Sequence, residues 1–309
     1  MTLAAIYEVP APAKLNLFLH VIGRREDGYH LLQSVFVLLD WCDTLHLERR
    51  TDGQLHRHDL NEPLPADDLC LRAARALQQA SGSTLGADIS LAKAVPWGAG
   101  LGGGSSDAAS TLLALNRLWA LNWPRQRLQE IALPLGADVP FFIGGHNAFV
   151  EGIGEQLTPI PFAMQRFAVV KPPAAISTPS IFRSELLRRD TEAAIVAGFL
   201  ADTQLQHGLD ANWLAADFGR NDLQPVAESL CPEVTQVAQW LEARFGNSRM
   251  SGSGSAVFAS VISNEFAIGT GDQPGATEAD EHPLRDLPPH WVGRMCRSLD
   301  HHPLVGWAD

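Results

Sequence analysis

Cysteine is scarce in this chain, with four in 309 residues, and no two cysteines lie close together. Cys42, Cys70, Cys231 and Cys296 form no Cys-x-x-Cys pair, which excludes a zinc ribbon and a dithiol redox motif. Isolated cysteines are typical of a reducing compartment, so we predict a cytoplasmic protein. No segment reaches ~20 uninterrupted apolar residues, and residues 1–12 lack a basic region followed by an apolar stretch. We therefore expect neither a membrane span nor a signal peptide.

Basic residues are also few. Lys and Arg number 23 against 35 Asp and Glu, which gives a formal net charge of −12. Broad binding to nucleic acid or to an anionic membrane requires a basic surface, so we expect neither partner. An anionic small molecule is not excluded, because a local cluster of donors is enough to bind one. The length predicts two domains, and a hydrophobic content of 46% is sufficient for a sizeable core.

The most informative feature present is a glycine-rich run at 96–106. It consists of Pro96, Trp97, Gly98, Ala99, Gly100, Leu101, Gly102, Gly103, Gly104, Ser105 and Ser106. An alternating segment at 87–91 predicts a strand before the run, and apolar residues at helical spacing over 105–121 predict a helix after it. Glycine lets a backbone approach a ligand closely, and N–H groups at a helix N-terminus bind anions. The run therefore predicts a site for a nucleotide phosphate.

Taken alone, the run has several interpretations. Gly98, Gly100 and Gly103 match the dinucleotide-binding fingerprint, but the acidic residue expected about 20 positions later is missing. A P-loop requires Gly-Lys-Ser/Thr, and here Gly104 is followed by Ser105, which excludes that motif. A flexible linker is disfavoured, because linkers rarely lie between a strand and a well-patterned helix.

Two isolated residues fit a phosphoryl transferase. Lys14 lies in an otherwise apolar strand predicted over 13–21, where an unpaired lysine costs burial free energy. The alternative is a lysine at a sheet edge whose ammonium reaches solvent. Asp138 lies in a short loop before the apolar run 141–143, and the alternative there is an ordinary turn aspartate. From the residues alone, both alternatives stay open.

Together these residues resemble the GHMP kinases, the family of galactokinase, homoserine kinase and mevalonate kinase. The run 96–106 is similar to the family's ATP-binding motif, and 251–258 is similar to its C-terminal glycine motif. Within the family, other segments resemble the members whose substrate carries a cytidine diphosphate group. Those segments are 12–17, 27–30, 135–141, 177–182 and 221–223. The resemblance extends from about residue 10 to about residue 261.

The resemblance implies an α+β fold with two domains. These would be an N-terminal ribosomal-protein-S5-like nucleotide-binding domain over 1–160 and a C-terminal ferredoxin-like domain over 161–309. It implies an ATP-dependent, Mg²⁺-assisted phosphorylation of the 2-hydroxyl of 4-diphosphocytidyl-2-C-methyl-D-erythritol, in non-mevalonate isoprenoid precursor biosynthesis. The expected partner is this small molecule with its cytidine diphosphate group, bound by a monomer or homodimer. The alternatives are a GHMP kinase acting on homoserine or mevalonate, and a non-catalytic nucleotide-binding regulator.

The resemblance also implies a role for each site residue. Lys14 and Asp138 would be catalytic, with the carboxylate beside the substrate hydroxyl and the ammonium stabilising the charge on the hydroxyl and the γ-phosphate. The run 96–106 would wrap the ATP phosphates with its main-chain N–H groups. The implied substrate-binding residues are Asn16, Tyr29, His30, Lys93, Thr178 and Phe182. Among them, Tyr29 and Phe182 would sandwich the cytosine ring.

Three points go beyond the resemblance or depart from it. Trp97 is bulkier than the residue expected at its position, and we expect it to affect the adenine side of the pocket. A stretch rich in Gly, Pro, Asp and Glu at 268–289 predicts an exposed acidic loop or insertion. Ser105 and Ser106 are the candidate protein ligands for Mg²⁺, with the ion held mainly by phosphates and water.

Overall fold

The fold consists of two β-sheets, each packed against helices, and it is described here from a computed structural model over residues 3–194, 219–261 and 283–308. In the first sheet, the strand order is β3-β4-β2-β5-β6, and β1 pairs with β2 beside this path. Its strands are β1 (Ala5–Arg24), β2 (His30–Arg50), β3 (Leu55–Asp59), β4 (Gly86–Ala92), β5 (Ala148–Glu151) and β6 (Gln156–Pro159). The helices in this half are α1 (Leu69–Ser81), α2 (Gly103–Leu118), α3 (Arg125–Ala132) and α4 (Val139–Gly144).

The second sheet is antiparallel and has the order β10-β7-β9-β8. Its strands are β7 (Arg166–Lys171), β8 (Arg249–Met250), β9 (Val257–Val261) and β10 (Val292–Arg297). The helices of this half are α5 (Thr178–Arg183), α6 (Gln224–Leu230) and α7 (Pro232–Phe245). This mixed arrangement agrees with the α+β fold implied by the sequence.

Local sequence signals account for the helix ends. The apolar spacing over 67–80 predicts a helix, and α1 begins after Asp68, whose carboxylate accepts the N–H of Leu71 over 3.1 Å. It ends at Gly82, which has a φ of 65°. The apolar periodicity over 225–244 predicts one helix, but the structure has α6 and α7. They are separated because Pro232 has no N–H to continue the hydrogen-bond ladder of α6.

The strand predictions are mostly confirmed, with one difference in continuity. The segments 31–39 and 43–48 predict two strands, whereas the structure has the single long strand β2. This strand pairs antiparallel with β1 along its length, with bulges at several points. Both faces of β1 are covered around its centre, so residues 11–21 are all buried. Lys14, in the centre of this strand, is 3% exposed, which excludes the alternative of a lysine whose ammonium reaches solvent.

Three hydrophobic clusters hold the elements together. The first lies between the first sheet and α1 to α4, and the third fills the second half. The middle cluster joins the two halves, because Leu15 and Val35 of the first sheet pack with Phe167 and Phe258 of the second. Burying one such side chain stabilises the fold by about 1.5–3 kcal/mol relative to leaving it exposed. The two sheets are thus fixed against each other at the base of the cleft between them.

Residues 298–308, which follow β10, return to the first sheet. Ser298 forms a β-bridge with Leu39, and Leu304 and Ala308 belong to the first hydrophobic cluster. The division into 1–160 and 161–309 stays a prediction. We call residues 298–308 the return segment.

Two expectations concern other parts of the chain. Of the helices that the structure describes, none is both long enough and apolar enough to cross a membrane. Within the predicted acidic stretch, residues 268–282 lie outside the described residues. The remainder, 283–289, contains Leu284, which is 5% exposed and packs in the third cluster.

Candidate active site

Two glycine-rich loops lie against each other next to α2. The first belongs to the run 96–106, and the second joins β8 to β9. The backbone N–H of Ala256 donates to the carbonyl of Ala99 over 3.1 Å. The hydroxyl of Ser251 donates to the carbonyl of Gly100 over 3.0 Å. The two loops therefore form one continuous main-chain wall.

Glycine is required at two positions of this wall. Gly100 has a φ of 72°, and a Cβ atom there would lie 2.1 Å from the carbonyl oxygen of Ser251. Gly102 has a φ of 71°, and its Cβ would lie 2.9 Å from the ring of Phe142. Left-handed backbone combined with such close approach is accessible to glycine alone. The glycines thus serve the contact between loops as well as any contact with a ligand.

The wall borders a cavity of about 410 Å³, which we call the glycine pocket. Residues 96–105 of the predicted run all line it, together with Lys93 and Asp107. Ser106, the last residue of the run, is buried behind the wall. Because α2 begins at Gly103, the first N–H groups of this helix have no intrahelical partner, which favours an anion at this end of the pocket.

Lys14 and Asp138 meet beside this wall. The Nζ atom of Lys14 lies 3.7 Å from Oδ2 of Asp138 and donates to the carbonyl of Gly100 over 3.1 Å. It also donates to the side-chain oxygen of Asn16. The lysine side chain is 4% exposed, whereas the aspartate side chain is 32% exposed. A fixed ammonium therefore sits next to a carboxylate that solvent and ligands can reach.

The surroundings of Lys14 make its charged form less favourable than in water. Burial lowers the Lys14 pKa, and the nearby charge of Asp138 opposes this effect only in part. The ring of Phe36, whose centroid is 4.7 Å from Nζ, supplies a cation–π contact. The ammonium thus loses its proton at a lower pH than an ordinary lysine does.

Asn16 connects this pair to both halves of the molecule. Its Nδ2 donates to the hydroxyl of Ser34 on β2 over 2.9 Å. Its backbone N–H donates to the hydroxyl of Ser251 in the second glycine loop over 3.1 Å. The Oδ1 atom accepts from Lys14, so both polar atoms of this buried side chain have a partner within the protein. The geometry therefore suits Asn16 to orienting Lys14.

A second cavity, of about 720 Å³, adjoins the first, and we call it the aromatic pocket. Residues that line it include Arg24, Tyr29, His30, Leu32, Thr178, Phe182, Arg183 and Arg189. Thr178 lines both pockets, and its Oγ1 lies 2.7 Å from the hydroxyl of Ser253. The predicted substrate-binding residues Tyr29, His30, Thr178 and Phe182 are thus brought together in one place.

The side chains of the aromatic pocket are partly ordered against each other. The rings of His30 and Phe182 stack with centroids 4.9 Å apart and planes at 26°. The Nε of Arg189 donates to Nε2 of His30 over 3.1 Å, which makes that ring nitrogen an acceptor. Burial, Arg189 and Arg24 together lower the His30 pKa, so the ring is neutral at pH 7. Tyr29, in contrast, is 60% exposed.

The chain is similar in sequence to a family of known proteins. Models of the GHMP kinase N-terminal domain and of the GHMP kinase C-terminal domain match residues 68–146 and 204–265. A protein of Methylibium petroleiphilum is 60% identical over 308 residues, with 100% of each chain covered. It carries the name 4-diphosphocytidyl-2-C-methyl-D-erythritol kinase. The chain belongs to the GHMP kinase family.

Solved structures agree with this membership. A crystal structure of 4-(cytidine 5′-diphospho)-2C-methyl-D-erythritol kinase is 37% identical, with a TM-score of 0.70, and the match covers 82% of this chain and 89% of that one. Homoserine kinase from Cytophaga hutchinsonii has a TM-score of 0.68 at 16% identity, with 98% and 96% covered, and shares the fold. As a member of the family, the chain is an ATP-dependent small-molecule kinase.

Lys93 is predicted to bind substrate, but in this GHMP kinase its ammonium contacts two carboxylates of the protein itself. Its ammonium forms ion pairs with Asp43 and, at 2.6 Å, with Asp107. Burial works against the charged lysine, but Asp107 and Asp43 outweigh it and raise the Lys93 pKa. Burial and the charge of Asp43 raise the Asp107 pKa, and the ammonium of Lys93 opposes this shift. A role for Lys93 in binding phosphates stays a prediction, and its ion pairs also fit support of the loop.

Asp43 and Asp107 received no role from the sequence. Asp43 is fully buried and accepts the N–H groups of Ala94 and Val95 over 2.6 and 2.8 Å, which fixes the chain that leads into the run. Its position in an alternating strand gives no signal for this function. Asp107 does carry a signal, because it is an acidic residue directly after Gly-Ser-Ser and lies near the start of the following helix, in its second turn.

Two further residues that the sequence left without a role support the site. Asn221 donates from its side chain to the carbonyls of Met250 and Gly252 over 2.7 and 2.8 Å, and so fixes the second glycine loop. Arg189 holds His30 as described and also donates to the carbonyl of Phe182 over 3.1 Å. Both act on neighbours that lie far away in sequence, which no local pattern reports.

Trp97 and the two candidate serine ligands of Mg²⁺ lie at or next to the glycine pocket. Trp97 lies at the mouth of the glycine pocket and is 68% exposed. Ser105 lines the pocket, whereas the buried hydroxyl of Ser106 has no hydrogen-bond partner within the described ranges. Over residues 3–194, 219–261 and 283–308, no three His, Cys, Asp or Glu side chains are grouped to hold a metal ion.

Proposed function

We propose that this kinase transfers the γ-phosphoryl group of ATP to the 2-hydroxyl of 4-diphosphocytidyl-2-C-methyl-D-erythritol, a step in non-mevalonate isoprenoid precursor biosynthesis. The observation that carries the proposal is the position of the Lys14–Asp138 pair beside the main-chain wall of the glycine pocket, next to the aromatic pocket. The names of the similar proteins support the choice of substrate.

The glycine pocket is the proposed ATP side. Its wall presents main-chain N–H groups and the start of α2, which together suit the phosphates. Phosphoryl transfer depends mainly on positioning and on stabilising charge, so a rigid loop of this kind is a suitable holder. The ring of Trp97, which lines the pocket and is exposed, is proposed to affect its adenine side.

The aromatic pocket is the proposed site of the cytidine diphosphate group. Tyr29 and Phe182 offer ring faces to the base, and neutral His30 offers a polar edge. Arg24, Arg183 and Arg189 line the same cavity. They supply positive charge for a diphosphate, although the whole chain carries a net charge of −12.

Asp138 and Lys14 are the proposed catalytic residues. An alcohol is a weak nucleophile at neutral pH, so a carboxylate within hydrogen-bond reach can orient it and accept its proton. The ammonium of Lys14 stabilises negative charge on the reacting oxygen and on the transferred group. Asn16 and the carbonyl of Gly100 hold that ammonium in place before any ligand binds.

Magnesium is proposed to bind with the nucleotide. Bound Mg²⁺ neutralises phosphate charge. Because no cluster of acidic and histidine ligands lies in the described residues, the fit is to an ion held mainly by phosphates and water. Ser105, which lines the glycine pocket, is the better placed of the two candidate serines.

The remaining proposals concern organisation. We propose a cytoplasmic protein, which the four free cysteines support. We also propose a division into domains at residue 160, and a monomer or homodimer.

A coupled assay of ADP release tests the function. We expect turnover with 4-diphosphocytidyl-2-C-methyl-D-erythritol, and at least about 100-fold lower kcat/KM with homoserine or mevalonate, since neither has a base to stack. CMP should compete with the preferred substrate. Turnover of homoserine or mevalonate that CMP does not inhibit would favour another kinase of this family.

A further inference from the structure

The position of Asp138 depends on the short helix α4. Asp138 is the N-cap residue of this helix, and its carboxylate makes no capping hydrogen bond to the helix backbone. The carboxylate is therefore directed by the placement of the helix rather than by a local bond. Any shift of α4 along or about its axis changes the distance between Asp138 and Lys14.

The helix is closely packed on the side of the reacting groups. The ring of Phe142 lies where it would contact a Cβ at Gly102, at 2.9 Å. The neighbouring ring of Phe141 meets Phe36 edge-on, with centroids 5.2 Å apart. The ammonium of Lys14 lies over the face of the Phe36 ring. A shift of this helix would therefore move the carboxylate of Asp138 and disturb the packing beside Lys14 and the glycine wall.

The other end of α4 is held by Arg125, from α3. One guanidinium nitrogen donates to the carbonyl of Ile143 in the last turn of α4. Another donates to the carbonyls of Val305 and Ala308 in the return segment, the latter over 2.9 Å. The last carbonyls of a helix have no intrahelical donor, and a cation there is favourable. One side chain therefore ties three separate segments together at the end of α4.

The return segment makes a second contact with the same place. The backbone N–H of His302 donates to the carbonyl of Gly145, the C-cap residue of α4, over 2.8 Å. Gly145 has a φ of 78°, and a Cβ there would lie 3.3 Å from Val305 and 3.4 Å from Nη1 of Arg125. Leu304, which is 2% exposed, anchors the segment in the first hydrophobic cluster. A Cβ at Gly145 would therefore require its neighbours in this junction to shift by a few tenths of an ångström.

We propose that Arg125, acting with the return segment, is a positioning residue for Asp138, because it fixes the carboxyl end of the helix whose amino end carries the catalytic carboxylate. This inference rests on the proposed function for its effect on turnover. It predicts that contacts outside both pockets affect turnover, because Arg125, Val305 and Ala308 line neither pocket.

The test is Arg125→Lys, with Arg127→Lys as its matched control. Lysine keeps the charge but lacks the planar fork that reaches three carbonyls. Arg127 lies on the same helix and stacks on Trp123, with 3.4 Å between its guanidinium carbon and the ring centroid. Misplacement of a reacting group by about 1 Å can lower a rate by up to about 100-fold. We expect Arg125→Lys to lower kcat about 10-fold with both KM values within about 2-fold, and Arg127→Lys to behave as wild type.

Hydrogen exchange supplies a readout that needs no substrate. Amides over 136–145 should exchange faster in Arg125→Lys than in Arg127→Lys, while those of α7 should not differ. Gly145→Ala is the second variant, because it disturbs the same junction while Arg125 stays in place. It should lower kcat in the same way even if Arg125→Lys fails to fold.

The outcomes separate this inference from the proposed function. A lower melting temperature with unchanged kcat in both variants means that Arg125 is merely structural, and overturns the inference. Unchanged exchange over 136–145 overturns it as well. If the wild-type protein forms no ADP with the cytidine substrate, the proposed function fails. Faster exchange over 136–145 in Arg125→Lys would then still support the anchoring of α4.

Discussion

The two pockets that meet at Thr178 have walls of different kinds. The wall of the glycine pocket is mostly main chain, and two glycine-rich loops share hydrogen bonds along it. The aromatic pocket is lined by large side chains, among them Tyr29, Phe182 and Arg189. Two of these, Phe182 and Arg189, are fixed by contacts with His30.

This difference decides how each wall can fail. A main-chain wall admits no Cβ at its closest contacts, so a single methyl group at Gly100 forces the backbone of the neighbouring loop to shift. A side-chain wall loses only the contact area and charge of the residue that is removed, and the rest of the pocket remains. We therefore expect all-or-none effects on the ATP side and graded effects on the cytidine side.

The largest expected effect concerns neither wall. Asp138→Asn keeps the size of the side chain and removes the proton acceptor, so we expect kcat to fall about 1000-fold. Both KM values should stay within about 3-fold, because Asp138 belongs to the lining of neither pocket. Initial rates at varied concentrations of each substrate measure this. Asp190→Asn, at an exposed ion pair with Arg188, is the control.

Near-wild-type turnover of Asp138→Asn would contradict the catalytic assignment. A large change in one KM with little change in kcat would instead place Asp138 in that pocket, and the division between binding walls and reacting groups would be wrong.

The next effect tests the main-chain wall. Gly100→Ala puts a Cβ 2.1 Å from the carbonyl oxygen of Ser251, so the two loops must separate. We expect kcat/KM for ATP to fall about 100-fold, while CMP binding, measured by calorimetry, stays unchanged. Gly306→Ala is the control, because a Cβ there would meet nothing within 4 Å and the residue lines neither pocket.

Equal ATP kinetics in Gly100→Ala and Gly306→Ala would show that the wall tolerates a methyl group at Gly100. A loss of CMP binding in Gly100→Ala would show that the two pockets are not independent.

A smaller effect is expected from the side-chain wall. Stacking of a base on an aromatic ring contributes about 1–3 kcal/mol, so Tyr29→Ala should raise KM for the cytidine substrate about 10-fold. The KM for ATP should not change. The chain has two tyrosines, and both are 60% exposed. Tyr7→Ala, which removes a hydrogen bond to Glu48 outside both pockets, is therefore a matched control. If both variants raise KM equally, Tyr29 makes no specific contact with the base.

The same difference between the walls explains what could be predicted from the sequence. A glycine needed for a left-handed turn is a local requirement, so the run and its place between a strand and a helix could be predicted from spacing alone. The burial of Lys14 could not be decided in this way, because a lysine in an apolar strand also fits a sheet edge from which its ammonium reaches solvent.

The rest of the site depends on contacts between distant segments. Arg189 holds His30 from 159 positions away, and Asn16 meets Ser251 from 235 positions away. Asp43 lies in a strand whose pattern is ordinary, yet its carboxylate holds the chain before the glycine run. Propensity and periodicity report neighbours in sequence, so none of these contacts could be predicted from them. The residues of the aromatic pocket could be predicted only from the family resemblance.

The smallest expected effect is a pH dependence that belongs to neither pocket. Burial lowers the Lys14 pKa from its usual value of 10.5, with partial opposition from Asp138. As pH rises, the ammonium therefore loses its proton earlier than an ordinary lysine does, and kcat falls with it. We expect kcat to fall towards alkaline pH, beginning below the range in which an ordinary lysine titrates, with both KM values constant, because charge beside the reacting oxygen affects the transition state more than binding.

Lys14→Arg distinguishes this cause from other groups that titrate in the alkaline range. A guanidinium keeps its proton at these pH values, so the residual kcat of the variant should be flat where that of the wild type falls. Circular dichroism at each pH shows whether the chain stays folded. If the decline persists in Lys14→Arg, another group causes it. If instead the decline appears in KM for ATP, the lysine acts through the glycine pocket, and the separation of reacting groups from the main-chain wall does not hold.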